Sequence, residues 1–316
     1  KVACPASGAC VAIGTSALSP LATGGVMVPI LDVQSGSTWT AIRAPLPTGA
    51  IPSSAFGLNA VACSSPQFCV AAGNYLLIGA GSSWAAVDIP MPAGVPTSSF
   101  AYLSDVACRP GGDCFAVGNF YDFRGARVMV IRIPRTGAPV ATDVQPSGVD
   151  GAYGESQITC PSAALCMWTN SFSSGATSSG PTVTPFAGVI SDTPAPPQSL
   201  PLPADASNGG QMSALACSSA TFCVATGSYM TPLGAKGLVE RLNGGIWDVT
   251  DVPLAGSNVP GMLGTAGCGA STCLAALTRH SSGLALSSQQ LEVSPAGVTA
   301  IGALLPPASP SPQVGV

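Results

Sequence analysis

The stretch "NFYDFRGAR" (119–127) sets three aromatic rings, one carboxylate and two guanidinium groups within nine residues. Aromatics beside Asp and Arg are what a carbohydrate site uses, since rings stack on sugar faces and charged groups bind hydroxyls. Phe120, Tyr121, Asp122, Phe123 and Arg124 are therefore candidate ligand-binding residues. Tyr153, Tyr229, Arg279 and His280 join them from "SGVDGAYGES" (147–156), "GSYMTPLGAKG" (227–237) and "TRH" (278–280). Cleaving a glycosidic bond takes two carboxyl groups, about 5–5.5 Å apart for retention or about 6.5–9.5 Å for inversion. Glu155, Glu240 and Glu292 are the only glutamates, and eleven aspartates are scattered. Asp122, Asp150 and Glu155 are the catalytic candidates among these loops. The plainer role for the same aromatics is to cap sheets, and for His280 to be solvated. No nucleophile elbow, phosphate-cradling glycine loop or metal-ligand cluster is present, so neither metal nor cofactor is expected.

The elements that must position these residues come from a repeat. It reads "VACPASGACVAIG" (2–14), "VACSSPQFCVAAG" (61–73), "VACRPGGDCFAVG" (106–118), "ITCPSAALCMWTN" (158–170), "LACSSATFCVATG" (215–227) and a degenerate "AGCGASTCLAAL" (266–277). All twelve cysteines fall in these six pairs, five spaced C-x5-C and the last, Cys268/Cys273, C-x4-C. An apolar strand precedes each pair, as in "LSDVAC" (103–108), and an alternating strand follows, as in "CFAVGNF" (114–120). A third strand is seen in "ARVMVIRI" (126–133) and a fourth in "STWTAIRAPLP" (37–47). Proline closes the fourth strand at Pro45, Pro90, Pro146, Pro201, Pro253 and Pro306, because it cannot donate to the ladder.

Four short antiparallel strands recurring six times, with no helical periodicity, predict an all-β chain and a six-bladed β-propeller. An open β-solenoid is the alternative. The repeats run about 1–57, 58–102, 103–154, 155–211, 212–262 and 263–307 within a single domain at 1–307, and 308–316 reads as a Pro/Ser-rich tail or linker. Period-two alternation puts Cys69, Ala71 and Gly73 on one face of their strand and Val70 and Ala72 on the other. Gly14, Gly73, Gly118 and Gly227 recur at one position and read as turn or packing glycines. The Ser/Thr-rich "TNSFSSGATSSGPTVTP" (169–185) reads as a loop.

The C-x5-C-[VF]-A-x-G repeat, with the later "GSTW" (36–39), "GSSW" (81–84) and "GGIW" (244–247), resembles secreted bacterial propeller repeats related to the sialidase-like (BNR, or Asp-box) and photosystem-assembly-factor-like families. That resemblance implies the fold. The aspartate of the Asp-box pattern S-x-D-x-G-x-x-W is missing from all three segments, so sialidase chemistry does not carry over.

A five-residue loop between antiparallel strands places its two cysteines opposite one another, within disulfide reach. The expected bridges are Cys4–Cys10, Cys63–Cys69, Cys108–Cys114, Cys160–Cys166, Cys217–Cys223 and Cys268–Cys273. Zinc would need four ligands, whereas each loop offers two thiols and the chain has one histidine. Such bridges place folding in an oxidising setting: secreted, extracellular or at the cell surface. Net charge is −4 and charged residues are 8% of the chain, without a basic stripe, so nucleic acid is not an expected partner. No apolar run approaches the ~20 residues of a membrane span. Three functions remain: a non-catalytic module binding an extracellular glycan or protein, a polysaccharide-active enzyme (glycoside hydrolase or lyase), and a self-assembling structural subunit of a surface layer, fibre or adhesin.

Overall fold

The computed structural model describes residues 1–17, 27–50, 57–97, 99–149, 151–177, 180–191, 195–252, 261–280 and 286–305. Among them there is no helix, and every strand belongs to one of six four-stranded antiparallel sheets. The fold class is the six-bladed β-propeller type, with one hairpin disulfide per blade.

The first blade is β1 (Val2–Ala6), β2 (Ala9–Ala17), β3 (Met27–Ser35) and β4 (Thr38–Arg43). The second is β5 (Leu58–Ser65), β6 (Phe68–Gly73), β7 (Leu76–Ala80) and β8 (Ser83–Val87). The third is β9 (Ala101–Cys108), β10 (Cys114–Asp122), β11 (Gly125–Ile133) and β12 (Val140–Asp143). The fourth is β13 (Gly151–Thr159), β14 (Cys166–Thr177), β15 (Gly180–Ile190) and β16 (Gln198–Ser199). The fifth is β17 (Gly210–Ser219), β18 (Phe222–Thr231), β19 (Gly234–Asn243) and β20 (Ile246–Asp251). The sixth is β21 (Gly261–Cys268), β22 (Cys273–His280), β23 (Leu286–Ser294) and β24 (Gly297–Leu305). Neighbours in sequence are neighbours in every sheet. Pro45, Pro90, Pro146 and Pro201 each follow a fourth strand within a few residues. Pro253, Pro306 and the tail lie outside the described residues.

All six disulfides form, with Cα–Cα separations from 3.9 to 4.1 Å. Cys63 and Cys69, Cys108 and Cys114, Cys217 and Cys223, and Cys268 and Cys273 are direct cross-strand partners. The shorter loop of the last pair still returns the chain in register.

The chain divides into two compact units, the first Lys1–Trp168 with Gly188–Pro197, the second Thr169–Ala187 with Gln198–Val316. In the first unit β5 packs on β1 and β2, β9 on β5 and β6, and β13 on β9, β10 and β11. The alternation read in β6 explains that stacking. Val70 and Ala72 join Leu103, Ala116, Phe120 and Ile131 in one core, while Cys69 and Ala71 join Val11, Leu31 and Tyr75 in another. A sheet clothed on both faces must be apolar on both, so β6 is buried throughout. Side-chain amides and carboxylates also tie first strands together. Asn59 Nδ2 donates to the Leu103 carbonyl at 2.8 Å, and Asp105 Oδ2 accepts from the Ile158 N–H at 3.1 Å. In the second unit Phe222, Val224 and Val239 pack with Cys273, Leu291 and Val293.

The Ser/Thr-rich 169–185 segment is not a loop. It forms most of the β14–β15 hairpin, residues 178–179 lying outside the described residues. Phe172 is fully buried with Phe186 edge-on at 5.2 Å, and the Ser171 hydroxyl accepts from the Met212 N–H at 3.0 Å. Tertiary partners here outweigh a turn-like composition.

The repeat glycine is a packing residue with a specific cause. The first strand bulges where it passes Gly73, Gly118 and Gly227. The extra residues, Asn59, Ser104 and Ser213, push backbone against the glycine, and a Cβ would overlap the Gly57, Tyr102 and Gln211 carbonyl oxygens respectively.

Candidate functional site

β10 runs from Cys114 to Asp122, so its far turn stands at the opposite end of the blade from the Cys108–Cys114 bridge. That turn, residues 122–125, carries the aromatic run. Alternation continues through it. Phe120 is fully buried in the core with Leu103 and Met129, which takes it off the ligand-facing surface. Tyr121 is 41% exposed and Phe123, at the tip, 94% exposed. Arg124 lies 5.2 Å from the Phe123 ring centroid.

Asp122 is committed to the turn. Its carboxylate accepts from the Arg124 N–H at 2.8 Å and from Arg124 Nε and Nη2 at 3.0 and 2.7 Å. Burial works to raise this carboxyl, but the Arg124 hydrogen bonds and the charges of Arg124 and Arg127 outweigh it and hold it below the ordinary carboxylate value. A carboxylate so held favours its charged form at neutral pH, which suits a base or a charge partner better than a general acid.

Beside the turn the blade presents more aromatic surface than the motif showed. Phe100 precedes β9, is exposed, and sits 5.7 Å from Tyr121 and 6.2 Å from Tyr102 by ring centroid. Its carbonyl accepts from the Tyr121 N–H at 2.9 Å. Asn119 Nδ2 donates to the Tyr102 hydroxyl at 3.0 Å and to the Gly154 carbonyl at 3.4 Å, joining this cluster to β13. Burial pushes the Tyr102 phenol up, and the charges of Tyr121 and Glu155 push it further against the Asn119 bond.

The 147–156 segment is strand from Gly151 onward, so Tyr153 and Glu155 project from β13 rather than from a loop, and both are exposed. Asp150 lies outside the described residues. Asp105 on β9 belongs to the same neighbourhood and was missed by motif reading. Its carboxyl is raised, first by burial; the Ile158 N–H and the Lys1 charge, 3.9 Å away, act against this and Glu155 adds to it. The signal was available as the one charged residue inside the strand segment "LSDVAC".

The remaining candidates belong to the second unit. Tyr229 lies within β18, not a loop, and is buried. It hydrogen-bonds Asp205, whose carboxyl is held low chiefly by the Lys236 ammonium at 2.6 Å. Arg279 and His280 end β22, and their side chains lie outside what is described. Among the described residues no group of three or more His, Cys, Asp or Glu converges, and no helix is long and apolar enough to cross a membrane.

No protein-family model matches the chain, and no curated protein sequence matches it. Among solved structures it is similar to a PL25 polysaccharide lyase, an ulvan lyase. The TM-score is 0.58 at 8% identity, covering 95% of this chain and 81% of that one. It is also similar to a post-proline cleaving enzyme from Rickettsia typhi, at a TM-score of 0.46 and 9% identity, covering 94% of this chain and 46% of that one. The first likeness is one of fold; the second supports no argument.

Proposed function

We propose that the protein is a secreted or cell-surface module that binds an extracellular glycan through the β10–β11 end of its third blade. One observation carries this reading: the exposed rings of Phe100 and Tyr121 lie 5.7 Å apart, the exposed Phe123 at the same turn has the Arg124 guanidinium 5.2 Å away, and Tyr153 is exposed on β13. Scattered apolar side chains on a surface need no explanation, but neighbouring rings with a guanidinium beside them do. Sugar rings stack on such faces, while Arg124 and Glu155 offer donors and acceptors to hydroxyls. The test is binding of the oxidised protein to a polysaccharide array, repeated with Tyr121→Ala, Phe123→Ala and Tyr153→Ala. Saturable binding to one class, weakened about tenfold by at least two of the variants, supports the site. A blank array with folded protein moves the reading to a protein-binding or self-assembling structural role.

A second reading rests on Asp105 and Glu155. A carboxyl group that burial keeps easier to protonate suits the acid role in a polysaccharide-cleaving enzyme, and a nearby exposed carboxyl group could take the base role. Asp105, its side chain 15% exposed, is the more enclosed of the two and Glu155 is exposed. Turnover of a bound polysaccharide, abolished by Asp105→Asn and by Glu155→Gln, establishes it; unchanged turnover in either removes it.

A further inference from the structure

At the disulfide end of the third blade, away from the aromatic turn, the first unit holds a cavity of about 440 Å³. That volume lies in the ~300–1,000 Å³ range of small-molecule sites. Phe115, Val130, Trp168 and Val189 give it apolar walls, and among the described residues that line it the charged ones are Arg109 and Arg132.

Three details show that the walls are held in place. The Arg109 guanidinium stacks 4.8 Å from the Phe115 ring centroid, and its Nη2 donates to the Ile190 carbonyl at 3.1 Å. The cation is therefore clamped from both sides of the cavity. Arg132 is anchored by Nε and Nη2 on Asp113, at 2.8 and 2.7 Å, with most of its side chain in water. Trp168 is almost fully buried against Gly188, where a Cβ would overlap the indole ring. Glycine at 188 is what lets that ring form a wall.

An apolar chamber with two fixed guanidinium groups complements an apolar body that ends in one negative charge. We infer that this cavity binds a small monoanionic amphiphile, a medium-chain alkyl or aryl carboxylate in class, with its head at Arg109 and Arg132 and its body along Phe115, Val130 and Trp168. Arg109 follows Cys108 and Phe115 follows Cys114, so this site sits at the other end of the strands from the glycan surface. It stands or falls separately from that reading.

The test is calorimetric titration of the intact, oxidised protein with decanoate below its micellar concentration, beside decan-1-ol and decyltrimethylammonium. Decanoate is expected to bind one saturable site, with both other heads at least about tenfold weaker. Arg132→Gln, an exposed change compatible with folding, is expected to weaken decanoate by about tenfold. A 10-bromodecanoate probe is expected to quench indole fluorescence, and Trp168→Phe, which leaves Trp39, Trp84 and Trp247, to abolish the quenching. No decanoate binding, equal binding of the three heads, or quenching that survives in folded Trp168→Phe overturns the inference.

Discussion

Arg124 folds back onto Asp122 so that one carboxylate accepts from both the backbone N–H and the guanidinium of the same arginine. The pair closes the β10–β11 turn and sets the two exposed rings on either side of Asp122 at fixed positions.

Asp122→Asn is expected to keep the fold and lose about 1 kcal/mol of stability at neutral pH. Because the folded carboxyl lies below its ordinary value of 3.8, this stability is present above that value and disappears as pH falls through the folded one. Urea unfolding of wild type and variant should therefore converge in acid. A difference that stays constant from neutral to acidic pH would remove the ionic account of the turn.

Gly118→Ala and Gly14→Ala are expected to part company although they alter the same repeat position. At Gly118 the bulged β9 brings the Tyr102 carbonyl to where a Cβ must go. Overpacking against backbone of this kind costs about 3 kcal/mol. At Gly14 no strand among the described residues lies opposite: β1 and β2 pair up to Val2 with Ala12, with one more bond from the Ile13 N–H to the Lys1 carbonyl, and the nearest described atoms to a new Cβ belong to the Ile30 side chain, the closest at 3.7 Å. Gly14→Ala should melt within roughly 0.5 kcal/mol of wild type. Comparable losses in both variants would contradict the bulge as the cause.

Much of this architecture is legible in the residues themselves. Cysteine spacing alone fixes where hairpins turn, and alternation through Cys69 to Gly73 foretells two clothed faces. Carried two residues past the repeat glycine, the same alternation would also have sorted the site candidates. Tyr75, Phe120 and Tyr229 share one repeat position and all are buried, whereas of the residues one further on Tyr121 and Met230 are exposed and Leu76 is buried. Phe172, at the matching place in the fourth repeat, is buried too. What the chain does not reveal is the bulge, since Asn59, Ser104 and Ser213 look like ordinary polar strand residues. Nor does it reveal that Glu240 is sealed: alternation in "GLVERL" puts it on one face with Leu238 and Leu242, but both faces of the strand carry a charged residue, and only neighbouring elements decide which is covered.

Removing one bridge should weaken the fold without undoing it. Each of the five C-x5-C disulfides closes a ring of about seven residues, for which loop-closure entropy gives about 2 kcal/mol. Cys63→Ser with Cys69→Ser is expected to lose roughly that amount, read as a drop of several degrees in the melting temperature. Reduction of all six bridges should lower stability far more than any single pair. A double variant that melts with the wild type would mean that β5 and β6 are already held by their packing alone.

Glu240 should make the second unit less stable as the medium becomes alkaline. It is fully buried on β19, and neither carboxyl oxygen has a hydrogen-bond partner among the described residues. Burial, helped by the charge of Asp248, pushes its carboxyl from 4.5 up to about 9. Arg241 does not relieve it, since that guanidinium is spent on Asp248 at 2.9 Å through both Nε and Nη2. Below pH 4.5 the folded and unfolded chains both carry the proton, and the residue contributes no pH dependence. Between that value and about 9 the folded chain keeps a proton that the unfolded chain releases, so stability falls with rising pH by about 1.4 kcal/mol per unit. The accumulated loss reaches roughly 3 kcal/mol at pH 7. Glu240→Gln carries its own unpaired amide, a cost that does not vary with pH, so the slope is the quantity to compare. Urea midpoints taken from pH 5 to 9 should decline for wild type and stay nearly level for the variant in this interval. Two parallel curves would show that Glu240 is not the group that keeps its proton.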